Sequence, residues 1–149
     1  MATDRKSKRR SMRSNRTMKK RSISDKKTSH IVKIFIEMLN TVKLYHWKTH
    51  SYAQHKATDE LYSKLNSDID KFVEVLLGKD QTRVKLLEKR INLLNYNSTK
   101  EIKNRMFEYR DFLKDMNIYF DNRDSDILSI RDDILADINQ FLYLLTFDK

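Results

Sequence analysis

The sequence predicts an all-α protein, a four-helix bundle behind a disordered basic tail. Three observations predict it. The 149 residues contain no proline and a single glycine, Gly78, so the tight turns that sheets require have few residues to build them. Apolar residues recur at steps of three and four through four long segments. The net charge of +10 is also unevenly placed: residues 1–30 hold 12 Lys/Arg against 2 Asp/Glu, whereas residues 31–149 hold 19 of each.

The length suits one domain, with the tail at 1–28 and the bundle at 29–149. The absence of cysteine excludes disulfides, thiolate metal ligands and thiol nucleophiles, and is consistent with an intracellular protein. No apolar run approaches a membrane span of about 18 residues, and the N-terminus lacks a signal-peptide core, so no membrane partner is expected.

In the tail only Met1, Ala2, Met12, Met18 and Ile23 are apolar, too few to offset the entropy of ordering it. Its cations are Arg5, Lys6, Lys8, Arg9, Arg10, Arg13, Arg16, Lys19, Lys20, Arg21, Lys26 and Lys27. Neutralising phosphates is the simplest use of such a cluster. No aromatic is present to stack on bases, so DNA would be bound without sequence preference. A targeting signal or a solvated arm is the competing reading. Phosphorylation of Ser11, Ser22 or Ser24 would weaken polyanion binding.

The first helix is expected from about Ser29 to Thr49, with Ile31, Phe35, Met38, Val42 and Tyr45 inward and Thr28 or Ser29 as its cap. The second should run from about Ser51 to Leu77, with Thr58, Leu61, Leu65, Ile69, Phe72, Val73 and Leu76 inward and Gly78 as its C-terminal cap. So short a corner makes the two antiparallel neighbours. Residues 79–97 form a long crossover, in which Val84, Leu87, Ile91 and Leu94 have the spacing of a short helix. Ser98-Thr99-Lys100-Glu101 is a capping box opening the third helix, whose apolar face is Ile102, Met106, Tyr109, Leu113, Met116 and Phe120. The fourth runs from about Ser125 to Thr146, with Ile127, Ile130, Ile134, Ile138, Phe141 and Leu145 inward.

The chemistry-bearing residues gather around the first corner. His46 and Trp47 end the first helix. On the second, His55, Asp59, Asn66, Asp70 and Glu74 project within about 100° of one another, on one flank of the apolar stripe. Asp70 and Glu74 repel at i,i+4, and a cation between them would remove the repulsion. Imidazole with carboxylate suits iron or manganese better than calcium or magnesium.

His-Trp, a short loop, and then His55, Asp59, Asp70 and Glu74 in that spacing resemble Dps, the DNA-protecting mini-ferritins. The acidic start and aromatic end of residues 124–147 are similar to that family's last helix. The Arg/Ser-rich tail is similar to Dps-like proteins of large DNA viruses. The resemblance implies a ferritin-like bundle and a ferroxidase that oxidises Fe(II) with peroxide or dioxygen. His46, His55 and Asp59 of one subunit and Asp70 and Glu74 of another would be the metal ligands. Of these, His46, His55, Asp70 and Glu74 would carry the reaction, with Trp47 beside them. Iron is the implied metal, with Mn2+ or Zn2+ as alternatives, or none if the site is degenerate. The implied partners are DNA and copies of the same chain, from a dimer up to a dodecamer, in a nucleoid, nucleus or virion.

Two departures bear on that reading. The His46–His55 interval is shorter than in typical Dps, by about a helical turn's worth of residues, and His50 in the trimmed corner either substitutes for His46 or faces solvent. The Glu-x-x-His motif of larger ferritins is absent. Two further readings stand beside the ferroxidase. One is an architectural nucleic-acid-binding, virion or chromatin protein that keeps the bundle with a non-catalytic site. The other is a bundle serving only as an assembly module.

Overall fold

The structure, a computed structural model, describes residues 22–147. Among these there is no strand. Four helices make the body: α1 (Asp25–Lys48), α2 (Tyr52–Asp80), α3 (Thr99–Asp115) and α4 (Ser125–Leu144). Short 3-10 turns at Met116–Ile118 and Asn122–Asp124 join α3 to α4.

The apolar stripes read from the sequence meet in one core. Ile31, Phe35, Met38 and Val42 of α1 pack with Leu61, Leu65, Phe72 and Leu76 of α2, Ile102, Met106 and Leu113 of α3, and Ile127, Ile134, Ile138 and Phe141 of α4. Aromatic edges fix the middle layer: Phe35 meets Phe72 and Phe112 in T-shaped contacts, with centroids 5.1 and 6.1 Å apart.

Contacts between helix ends give the directions. Lys79 of α2 pairs with Asp124 and Asp126 at the start of α4, while Lys64 pairs with Asp137, so α2 and α4 are antiparallel. Gln54 of α2 donates to Thr99 Oγ1 at the start of α3 (2.9 Å), so α2 and α3 begin at the same end. The chain must therefore return the length of α2, about 43 Å at 1.5 Å per residue. It does so along α1: Leu87 N–H donates to Ser29 Oγ (2.9 Å), Lys33 pairs with Glu88, and Lys48 donates to Asn95.

That return path overturns the expected crossover helix. Residues 82–98 contain no helix. Coiled into one, 17 residues would reach only about 26 Å. Extended, they cover the distance and leave Val84, Ile91 and Leu94 half-buried, so the helical spacing of their apolar residues is coincidental.

Two helix ends also differ from expectation. The start of α1 is Asp25, capped by Ser24, whose hydroxyl accepts from Lys27 N–H; Thr28 and Ser29 are buried inside the helix rather than capping it. Helix α2 runs through Gly78 to Asp80, and Gln81 takes the left-handed position, with φ 52°. The ion pairs of Lys79 hold that last turn against α4 and carry the helix past the glycine. The capping box forms as expected, with Ser98 and Glu101 each accepting from the other's backbone N–H.

Candidate metal centre

Helix α1 ends at Lys48, and Ser51 caps α2 by accepting from Gln54 N–H, so residues 49–51 make the whole corner. A buried hydrogen-bond cluster closes it. Tyr45 donates to Gln54 Oε1 (2.6 Å), and Thr49 donates to the same oxygen (3.0 Å). A corner this tight forces the end of α1 against the start of α2.

It brings His46 and His55 face to face. Their rings stack with centroids 3.9 Å apart and planes 22° from parallel. Each ring is held by the other residue's backbone: His46 Nδ1 lies 2.9 Å from the His55 carbonyl, and His55 Nδ1 lies 3.1 Å from the His46 carbonyl. A carbonyl only accepts, so each Nδ1 carries a proton, and in the neutral form of the ring this leaves the lone pair on Nε2. Thr58 Oγ1, 3.1 Å from His46 Nδ1, is a further acceptor for that ring. Neither Nε2 has a hydrogen-bond partner among the described residues.

The remaining residues singled out in the sequence lie on the surface nearby or further down α2. Trp47 is 69% exposed, with the Lys43 ammonium 5.7 Å from its ring and 4.7 Å from that of Tyr62. His50 and Asp59 are exposed, and so are Asp70 and Glu74. Asp70 is about 22 Å down the helix axis from His55, and Glu74 about 28 Å. Within one chain, then, the histidines meet each other but not Asp70 or Glu74. No group of three or more His, Asp or Glu among the described residues is placed to hold a metal ion.

Of the tail cations, Arg5, Lys6, Lys8, Arg9, Arg10, Arg13, Arg16, Lys19, Lys20 and Arg21 lie outside the described residues. Lys26 and Lys27 are exposed in the first turn of α1. A cavity of about 590 Å³ lies at the far end of the bundle from the histidines, between Ile23, Leu76 and Phe120. No described helix is long and apolar enough to cross a membrane.

Sequence reasoning overlooked Thr58 as a polar partner, because its place on the inward stripe of α2 made it read as core. It is fully buried, and its hydroxyl donates back to the Gln54 carbonyl (2.8 Å).

Residues 46–145 match the model of a family of unknown function, DUF5856. The chain belongs to the DUF5856 family. The matched span opens on His46 and takes in Trp47, His55, Asp59, Asp70 and Glu74, so the histidine pair and the α2 carboxylates lie inside what DUF5856 defines. The basic tail lies outside it. None of the curated proteins and none of the solved structures compared matches the chain.

Proposed function

We propose that the chain is a Dps-like mini-ferritin that oxidises Fe(II) at a site shared between two copies and contacts nucleic acid through its basic tail. The observation that carries the reading is the mutual locking of His46 and His55 through Nδ1, which leaves both Nε2 atoms oriented and, among the described residues, unpartnered at one end of α2. A histidine whose other nitrogen donates to a carbonyl is the usual form of a metal-ligating imidazole.

The topology supports the same reading. A tight corner between α1 and α2, parallel α2 and α3, and a long return along α1 are what a ferritin-like bundle would require.

Asp70 and Glu74 stand too far down α2 to reach their own chain's histidines. An antiparallel second copy, related by a two-fold axis, would bring them to the partner's histidines. The outer side of α1 offers a surface for that copy. Ile36 and Trp47 are exposed there, 39% and 69%, and project within about 20° of each other. A tryptophan and an isoleucine exposed on one helix face, about 16 Å apart along its axis, are more typical of an interface than of a solvated face.

Rings this nearly parallel cannot aim their in-plane lone pairs at one ion. Each Nε2 therefore offers a separate position, as oxidation of an iron pair requires. Imidazole and carboxylate would hold Fe(II) with positions left open for the oxidant, which takes up the electrons as Fe(III) forms.

The test is anaerobic loading with Fe(II) followed by peroxide or dioxygen. Wild-type protein should oxidise iron well above the rate of the His55→Ala, Glu74→Ala double variant, and equal rates would sink the ferroxidase reading. An architectural nucleic-acid-binding protein on the same bundle would then remain, in keeping with there being no group of three or more metal-ligating side chains among the described residues of one chain. Replacing the ten cations between Arg5 and Arg21 with glutamine should weaken DNA binding and flatten its salt dependence.

A further inference from the structure

The electrically balanced body conceals a sorted helix. On α3, Lys100, Lys103, Arg110 and Lys114 project within about 80° of one another, with Phe107 among them. Glu108, Asp111 and Asp115 fall on the next arc. Arg105 of α3 and Lys33, Lys64, Lys79, Lys85, Arg123 and Arg131 of other segments are paired with carboxylates, while Lys56, Lys71 and Lys89, scattered over other segments, have no ion pair among the described residues. None of the four cations on the α3 face has an ion pair among the described residues.

The face is also organised. Phe107 is half-buried, and the Arg110 guanidinium lies 4.8 Å from its centroid, with Lys103 Nζ at 6.0 Å. This holds two of the cations against the helix. Arg110 Nε is the one buried side-chain nitrogen or oxygen without a partner among the described residues, so this guanidinium is under-satisfied in the isolated chain.

We infer that this face binds the sugar–phosphate backbone of duplex nucleic acid, as a folded surface additional to the tail. The inference rests on the nucleic-acid part of the proposed function and is independent of the iron chemistry. Lys100 to Lys114 spans about 21 Å, which matches about six steps along one strand at 3.4 Å each. The tail enters at the same end as Lys114: Lys27 Nζ sits 4.7 Å over the ring of Tyr119, five residues further on, so one duplex can engage both. A lipid surface fits less well. Ile102, Met106, Tyr109 and Leu113 are buried in the bundle, Phe112 packs against Phe35 of α1, and Phe107 is the apolar residue among the four cations.

The test uses full-length protein carrying Lys100→Gln, Lys103→Gln and Lys114→Gln, which leaves Arg110 in place and so protects the fold. Duplex DNA of mixed sequence is titrated across a salt series. The slope of log affinity against log salt should fall by about 3, at about 0.9 for each phosphate no longer neutralised, and affinity at low salt should drop at least about tenfold. A control with Lys56→Gln, Lys71→Gln and Lys89→Gln removes the same charge from exposed positions elsewhere and should keep the wild-type slope. A wild-type slope in the α3 variant, or an equal decrease in the control, overturns the inference. So does unchanged duplex binding with abolished binding to phosphatidylserine vesicles, which would make the face a membrane surface. If the tail substitutions abolish binding and the α3 substitutions change nothing, the tail reading survives without this one. If wild-type protein binds no duplex at all, both fail.

Discussion

His46 and His55 hold each other: each ring Nδ1 bonds the other residue's backbone carbonyl, at 2.9 and 3.1 Å, and the rings stack between those bonds. The first consequence concerns stability. His46 is buried, so His46→Ala removes both a packed ring and a buried hydrogen bond, at a cost of about 2 kcal/mol. His55→Ala removes a more accessible ring and should cost less. Chemical denaturation of the two variants measures the difference.

The shared-site reading predicts complementation. One chain carries His46→Ala with His55→Ala, and the other carries Asp70→Ala with Glu74→Ala. Each alone should be inactive. In a mixed two-fold dimer one site regains every ligand and the other keeps only Asp59, so equal co-assembly should restore about a quarter of wild-type ferroxidase activity. No recovery in demonstrably mixed assemblies would contradict a site built across two copies.

Asp137 supplies a pH signature. Burial between α2 and α4 raises its carboxyl above the usual range; the Lys64 ammonium, 3.7 Å away, works against this, and the neighbouring Asp68 carboxyl adds to it. The folded state therefore keeps this proton to a higher pH than the unfolded chain. Its contribution to stability falls as pH rises from the ordinary aspartate range through the raised value, and the cost persists at neutral pH. Asp137→Asn should raise the Tm at pH 7, and the gain should vanish near pH 3. A variant less stable than wild type at pH 7 would show that the Lys64 pair outweighs the burial.

Glu37 is a buried carboxylate on α1 that receives the Tyr109 hydroxyl at 3.1 Å, with Thr41 Oγ1 2.9 Å from the same hydroxyl. Burial, chiefly, holds the Tyr109 phenol far above its ordinary range and so neutral and able to donate. Tyr109→Phe should cost about 2 kcal/mol by leaving Glu37 short of a donor. A Tyr109→Phe, Glu37→Gln double variant should lose less than the sum of the single changes, as a double-mutant cycle would show.

Ser98→Ala tests the junction between crossover and α3. It breaks the capping box and should cost about 1 kcal/mol, read as a shift in denaturation midpoint at constant slope.

The four helices were legible because their apolar residues recur with the helical period over many turns, and burial of that stripe is what makes such a segment a helix. Ile31, Phe35, Met38 and Val42 are inward in the sequence and buried in the fold. Shorter segments were less legible. Val84, Leu87, Ile91 and Leu94 have the spacing of a helix, yet the distance they must cross keeps them extended. Gly78 has the composition of a cap, yet contacts with Asp124 and Asp126 carry the helix past it. On α3, opposite charges on adjoining arcs cancelled in the net count and hid the cationic face.

The sequence by itself determined the helical class, the inward faces, the capping box and the concentration of positive charge before residue 30. These depend on local period and composition, which the chain carries in order. Only the tertiary structure decided that His46 and His55 lock each other, that Asp70 and Glu74 stand about 22 and 28 Å from His55 in the same chain, and that the crossover is extended. These depend on how helix ends meet in space. A three-residue corner forces two histidines nine positions apart into contact, and a straight helix holds residues on one flank apart by its rise alone.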